Sequence, residues 1–324
     1  MKCSIVIISY NEKRYLKEAV ESCLRQEVFC DNNAEIIIGD DGSSDGSLEI
    51  IKELAEKYPN KIRYFVMDRS DIQYIIPSLR ASNVIKKGLE LSKGEYLQIL
   101  SGDDLLIDPK KISVASMFLD NNPEYSCCYT DYKKFWDDGK SIFPKAKKNQ
   151  FSRPVLWSFE YRHISCYVFR RNVLNNLLDR FCDDTGMFYS CFCTGKAKHI
   201  PGVTFGYRQR DTGIMRTSDE LELNLLELLL FQDVLNRNSF PKSSLAKFYK
   251  PLRFVWNQKA TLRNEKYEKY FIESSKYDND ILNLFARYNE LEKRKKNQLR
   301  RMMVKAGFYR IIFKFFDITE SIIR

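Results

Sequence analysis

The feature that most limits how this chain can fold is a buried strand near its start, followed by a repeated strand–helix alternation. Residues 4–10 (SIVIISY) form an almost continuous β-branched apolar run, which is typical of a strand buried on both faces. Further strands are predicted at 35–40, 61–66 and 95–100, with amphipathic helices between them at about 15–24, 47–58 and 79–91. This alternation predicts an α/β fold, a mostly parallel sheet with helices on both faces.

Polar clusters follow three of these strands. They are Ser9-Tyr10-Asn11-Glu12, Asp40-Asp41 and Asp103-Asp104. Because ligands of such sheets bind at the carboxyl ends of the strands, the clusters predict a binding site at that edge. Paired carboxylates can hold a divalent cation, which would neutralise a diphosphate leaving group. A further carboxylate could accept a proton from an attacking hydroxyl, and Asp183-Asp184 opens a predicted helix.

The pattern changes along the rest of the chain. After Asp104 we predict a helix at 108–120, strands at 125–132, 165–170 and 203–210, and a short helix beginning near Asp184. From Ser218 onward the chain reads as helical. We therefore predict a catalytic domain at 1–215, with halves at 1–104 and 105–215, and a helical C-terminal region at 216–324.

Charge is concentrated near the C-terminus. The chain has a net charge of +10, and residues 292–314 hold nine Lys or Arg and one Glu. Apolar residues recur there at helical spacing, so this tail is predicted to be a basic amphipathic helix. Four roles stay open: attachment to an anionic membrane surface, a solvated helix face, packing on the catalytic domain, and a homodimer contact. Nucleic-acid binding is not expected, because no recognised binding motif accompanies the charge.

The sequence shows no apolar run of 18 residues and no apolar core of a signal peptide. We therefore expect a cytoplasmic protein, with the tail as a hypothetical peripheral anchor on the inner face of the cell membrane. The nine cysteines lie mostly in or beside apolar runs and include no C-x-x-C pair. They are predicted to be buried free thiols.

Several short segments together resemble family 2 inverting glycosyltransferases of the bacterial polysaccharide type. In chain order they are SIVIISYNE (4–12), DDGSSD (40–45), RASN (80–83), GEY (94–96), SGDD (101–104), CDD (182–184) and YRQR (207–210). Each segment is weak by itself, but their order and spacing are specific, and the resemblance covers about residues 3–215. It implies the GT-A fold: a Rossmann-like, mostly parallel mixed sheet flanked by helices, here with a C-terminal helical extension. In this fold residues 1–104 would be the nucleotide-binding half and residues 105–215 the acceptor half.

The resemblance also implies a reaction and the roles of single residues. A UDP- or dTDP-sugar would give its sugar to a hydroxyl of a glycan or lipid-linked acceptor, with inversion at the anomeric carbon. Asp184 matches the catalytic base, and Asp104 the ligand of Mg²⁺ or Mn²⁺. The donor-binding residues would be Ser9, Tyr10 beside the base, Glu12, Asp41 at the edge of the base, Arg80 near the diphosphate or ribose, Asp103 at the ribose, and Arg210.

Two departures from the family pattern concern the metal. Ser101 stands where a carboxylate is common, and Arg210 stands where a histidine is common. An arginine cannot ligate a cation but pairs well with phosphate oxygens. The departures therefore predict a weak dependence on Mg²⁺ or Mn²⁺, with Arg210 supplying part of the positive charge.

Other assignments stay open. His163 and Asp183 could lie on the acceptor side, but His163 could equally be a core or surface histidine and Asp183 a helix cap. A sugar nucleotidyltransferase or a non-catalytic nucleotide-sugar-binding protein is the alternative function. A Gly-rich loop after the first strand would favour a nucleotidyltransferase or a dehydrogenase, and residues 9–12 lack it.

Overall fold

A computed structural model describes residues 1–69, 76–144, 163–211, 213, 217–236, 254–255 and 264–270. Its strands are β1 (Cys3–Ser9), β2 (Ala34–Asp40), β3 (Ile62–Val66), β4 (Tyr96–Ser101), β5 (Leu105–Leu106), β6 (Tyr125–Phe135), β7 (Ser141–Ile142), β8 (Tyr167–Arg170) and β9 (Lys196–Arg208). Its α-helices in these ranges include α1 (Leu16–Leu24), α2 (Ser47–Lys57), α3 (Pro77–Leu91), α4 (Lys111–Asn121), α5 (Asp184–Thr194) and α6 (Glu220–Asn236).

The strands of the described residues form one sheet in the order β3-β2-β1-β4-β8-β6-β9-β5, with β7 paired to β6. The pairs β3-β2, β2-β1, β1-β4 and β6-β9 are parallel. Strand β8 is antiparallel to both β4 and β6, and β5 is antiparallel to β9. The predicted α/β fold is therefore confirmed, as a mixed and mostly parallel sheet.

The core explains why the first strands form where they do. Every residue of β2 is buried, and so is nearly all of β1, because helices cover both faces of the sheet at these strands. Helix α1 buries Leu16, Ala19, Val20 and Cys23, which share one stripe. The nine cysteines are free thiols, as predicted. Seven are buried, but Cys30 and Cys193 are exposed, so the prediction of burial was wrong for these two.

The chain divides into two compact units, Met1–Lys269 and Tyr270–Arg324. Helix α6 belongs to the first unit. The basic tail predicted at 292–314 lies outside the described residues, as do residues 145–162 of the predicted acceptor half. Among the helices in the described ranges, none combines the length and the apolar composition needed to cross a bilayer.

Candidate active site

Parallel register brings the predicted strand ends together. Ser9 at the end of β1 lies beside Asp40 at the end of β2, and Ile8 lies beside Ser101 at the end of β4. The loop after β1 turns sharply at Asn11, whose φ of 55° is in the left-handed region. The Asn11 side chain accepts a hydrogen bond from the Ser44 amide at 2.9 Å, which joins this loop to the loop after β2.

The first group at this edge is built around Asp41. Arg80 on α3 donates two hydrogen bonds to its carboxylate, from Nε at 2.9 Å and from Nη2 at 2.6 Å. The Arg69 guanidinium lies 3.8 Å from the same carboxylate and 4.1 Å from the centre of the Tyr10 ring. The Tyr10 ring is itself 44% exposed. The arrangement is a partly exposed group of an aromatic ring, a carboxylate and two arginines.

The second group joins residues that are far apart in the sequence. Arg210 donates to both carboxylate oxygens of Glu12, at 2.8 and 2.7 Å, and its Nε lies 2.7 Å from Asp103. Burial, and after it the charge of Asp103, raise the pKa of Glu12 to about 7. Burial also raises the pKa of Asp103, although Arg210 opposes this. One arginine therefore pairs with two buried acids.

Asp104 is fully buried, with no exposed surface. Its Oδ1 accepts a hydrogen bond from the Arg208 amide at 2.8 Å, whereas its Oδ2 has no hydrogen-bond partner within the described part of the chain. The Nε2 atom of His163 lies 3.9 Å from that oxygen, which is too long for a hydrogen bond. Burial, and after it the charge of Asp103, raise the pKa of Asp104 well above its usual range.

Asp184 is the first residue of α5. The preceding residue, Asp183, caps the helix: its carboxylate accepts a hydrogen bond from the Gly186 amide at 3.0 Å. The Asp184 carboxylate accepts a hydrogen bond from the Ile164 amide at 2.7 Å. Burial raises the pKa of Asp184 to about 7. Asp184 is thus an acid that exchanges its proton near neutral pH.

The rings of His163 and Tyr207 pack against each other near Asp104. Their centroids are 4.7 Å apart, and His163 also stacks on Phe205 at 5.1 Å. Burial, and then the charges of Asp104, Asp103 and Asp184, raise the pKa of Tyr207 to about 12. Burial, and after it Lys111, lower the pKa of His163 to about 3, so His163 is neutral at physiological pH.

The structure gathers all the predicted residues of the carboxyl edge into this site. Ser9 is buried there, and its hydroxyl has no hydrogen-bond partner among the residues described. Sequence reasoning missed Arg69 and Arg208. Arg69 follows the end of β3, so the rule that placed the other clusters could have found it. Arg208 lies in the YRQR segment, where its guanidinium donates to the Asp103 carbonyl at 2.8 Å and to Glu18 at 2.6 Å.

Strands β3, β2, β1 and β4 are parallel, with aspartates at or just after the ends of β2 and β4, and the other half of the sheet is mixed. This arrangement is that of the GT-A class. The solved structure of S. aureus TarS in complex with UDP-GlcNAc superposes with a TM-score of 0.57 over 86% of this chain and 80% of that one, at 16% identity. The model of glycosyl transferase family 2 matches residues 4–178. The chain belongs to this family.

Curated relatives share part of this chain. An uncharacterised protein of Mycobacterium tuberculosis is 34% identical over 159 residues, which are 48% of this chain and 40% of the relative. The minor teichoic acid biosynthesis protein GgaB of Bacillus subtilis is 33% identical over 37% of this chain and 12% of its own length. The chondroitin synthase of Pasteurella multocida is 27% identical over 62% of this chain and 20% of its own. The matches thus span less than half the length of these relatives.

Proposed function

We propose that this protein is an inverting glycosyltransferase, which moves a sugar from a UDP- or dTDP-sugar to a hydroxyl of a glycan or lipid-linked acceptor. The observation that carries the proposal is Asp184. It is a buried carboxylate with a pKa of about 7. Asp184, Asp103 and Asp104 all lie near enough to Tyr207 for their charges to raise its pKa. A group that gains and loses a proton near pH 7 is suited to general base catalysis.

The group of side chains around Asp41 is the proposed site of the nucleotide base. Tyr10 offers an exposed ring for stacking, and Asp41 offers carboxylate oxygens to the N–H edge of uracil or thymine. In the structure both oxygens of Asp41 accept from Arg80. We expect Arg80 to keep one of these bonds while it reaches toward the ribose or diphosphate, with Asp103 at the ribose. The UDP-GlcNAc bound to TarS supports a uridine donor.

The residues present fit a divalent cation at Asp104. A buried carboxylate oxygen without a hydrogen-bond partner costs free energy unless a ligand satisfies it, and Asp104 Oδ2 is such an atom within the described ranges. No cluster of three or more His, Cys, Asp or Glu suited to a metal occurs among those residues. Mg²⁺ is often held by one or two carboxylates together with substrate phosphates and water, so Asp104 alone is sufficient on the protein side.

When bound, Mg²⁺ or Mn²⁺ would neutralise charge that develops on the diphosphate. Arg210 supplies positive charge beside the same place. Its bonds to Glu12 and Asp103 hold it there without donor, and its planar guanidinium is suited to phosphate oxygens. This division of charge leads us to propose a partial rather than a strict dependence on metal.

Asp184 completes the proposed reaction. Its carboxylate would take the proton of the acceptor hydroxyl as that oxygen attacks the anomeric carbon and the diphosphate leaves from the opposite side. The Ile164 amide donates to Oδ1 and so orients the carboxylate. A single displacement of this kind inverts the anomeric centre. We place His163 and Asp183 on the acceptor side, where His163 is a neutral ring fixed by its aromatic neighbours.

The relatives support a role in polysaccharide synthesis. Two of them are named for teichoic acid biosynthesis and for chondroitin synthesis. We propose a cytoplasmic enzyme with an acceptor of the same general kind, a growing glycan or a lipid-linked sugar. Attachment of the tail to an anionic membrane and association into a homodimer remain proposals for the region outside the described residues.

The test is the Asp184→Asn variant. Asparagine keeps the size of the side chain and an oxygen that can accept from Ile164, but it cannot take a proton. We expect kcat to fall by ~10²–10⁴-fold, because this is the usual contribution of a general base. Calorimetry should show unchanged UDP affinity, because Asp41 and Arg80 lie on other elements. Near wild-type turnover in this variant would disprove the role of Asp184 as base.

A further inference from the structure

A buried ion pair joins the loop before Asp184 to helix α6. The Arg180 side chain is fully buried, and that of Asp233 is 2% exposed. Arg180 donates from Nε to Asp233 Oδ1 at 2.8 Å and from its backbone amide to Oδ2 at 3.1 Å. Its Nη2 atom also donates to the Leu229 carbonyl at 3.0 Å. Arg180 is therefore bonded to α6 through both its side chain and its backbone.

Little freedom remains between Arg180 and the proposed base. Phe181 and Cys182 are buried, and Asp183 is fixed as the cap of α5. The backbone of α5 passes so close beneath this loop that a Cβ on Gly186 would lie 1.9 Å from the Phe181 carbonyl oxygen. Because these residues are closely packed, we expect a shift of Arg180 to be transmitted to the backbone of Asp184.

The Asp184 carboxylate is also held by a second segment of the chain. The Ile164 amide that donates to it belongs to a short 3₁₀ turn at Ile164–Cys166. The carbonyl of Ser165 in this turn accepts from Gln98 on β4 at 3.0 Å and from the buried amine of Lys111. Two anchors therefore set the position of Asp184: this turn, which is tied to the sheet, and the loop at Arg180, which is tied to α6.

We propose that Arg180 and Asp233 are positioning residues for the base. Helix α6 would then contribute to catalysis by holding Asp184 in place. Both residues lie beyond the segment that the family model matches, which ends at residue 178. The inference rests on the proposed function, because it assigns the pair a role through Asp184. A displacement of about 1 Å can cost roughly 100-fold in rate, so a distant pair can control turnover.

The competing explanation is that the pair only stabilises the fold. Buried ion pairs are often no better for stability than apolar residues of similar volume, whereas the removal of one partner is strongly destabilising. The double variant R180M/D233L removes both charges and so avoids an unpaired buried charge. The R180K variant keeps the positive charge at position 180 but loses the planar guanidinium that reaches both Asp233 and Leu229. Together they separate positioning from folding.

Glu222→Gln is the matched control. Glu222 lies on the same helix and is buried, and it pairs with Lys269 at 2.9 Å and Lys266 at 3.3 Å. Within the described part of the chain, its hydrogen bonds and ion pairs are with Asp219, Lys266 and Lys269, and none is with the loop at 178–184. This variant should therefore lower the melting temperature without changing kcat per folded molecule.

The full chain of each variant is assayed for melting temperature, for UDP affinity by calorimetry, and for kcat at saturating donor and acceptor. We expect R180M/D233L to fold and to bind UDP as the wild type does, while its kcat falls about 10- to 100-fold. R180K should fall by a smaller factor in the same parameter. If either folded variant retains wild-type kcat, the positioning role is wrong. If the Asp184→Asn variant retains wild-type kcat as well, Asp184 is not the base, and the proposed function is what the experiment disproves.

Discussion

At the scale of single residues, two acids have a pKa near 7: Asp184 and Glu12. Asp184, the proposed base, can accept a proton only when it is ionised. We therefore expect kcat at saturating donor to rise as pH increases through about 7 and then to level off. His163 does not titrate in this range, because its pKa is about 3, and Tyr207 does so only near 12.

Glu12 titrates in the same range, so its contribution must be separated. The Glu12→Gln variant should keep the acid limb of kcat, since Asp184 is unchanged. A flat profile in that variant would transfer the titration to Glu12 and contradict our assignment.

The raised pKa of Asp184 also predicts how stability depends on pH. Because the folded-state pKa is above that of the unfolded chain, the native state binds this proton more tightly. The resulting stability is fully present below the unfolded value and is lost as pH rises through about 7. Asp184→Asn lacks this loss, so its melting temperature should exceed that of the wild type more at pH 8 than at pH 5. An equal difference at both pH values would mean that Asp184 is not buried as described.

Asp104 is the residue on which the metal can be tested without turnover. If its unsatisfied oxygen is a ligand of Mn²⁺, calorimetry should show UDP binding more tightly with Mn²⁺ than with EDTA. The gain should be absent in Asp104→Ala. Because Arg210 supplies positive charge at the same place, some UDP affinity should survive with EDTA. Equal affinity under all four conditions would exclude a metal role for Asp104.

At the scale of elements, α5 and the loop before it form a closely packed unit. A Cβ on Gly186 would meet the Phe181 carbonyl, which is backbone and cannot turn aside. We expect Gly186→Ala to destabilise the protein by about 1–3 kcal/mol, because overpacking forces the backbone to move. Urea denaturation should measure it. Gly213→Ala is the control, because no atom of the described residues lies within 4 Å of a Cβ there. If the free energy of unfolding changes as little in Gly186→Ala as in Gly213→Ala, α5 has room to shift.

At the scale of the whole molecule, the basic tail predicts an association with membranes. Its net positive charge and its apolar stripes predict binding to anionic membranes, at roughly 1 kcal/mol per Lys or Arg near the surface. The full chain should float with anionic liposomes at low salt, and a chain ending at Glu290 should not. Release of the full chain by high salt is the control for an electrostatic contact. If both chains behave alike, the tail packs on protein.

Local sequence patterns determined much of this protein. The strands β1 to β4 and the helices between them were predictable, because alternation of apolar runs is a local property. The meeting of Ser9, Asp40 and Ser101 at one edge followed from parallel pairing. The order of the short segments was sufficient to name the family, which the family model then matched.

Only the tertiary structure decided which charged groups pair. Arg210 bonds to Glu12 across 198 residues, and Arg180 bonds to Asp233 across 53. No local pattern encodes such partners, because they depend on the order in which distant strands and helices pack. The antiparallel entry of β8 between β4 and β6 was hidden for the same reason. The pKa of Asp184 also depended on the fold, because burial raises it and burial is a property of the assembled core.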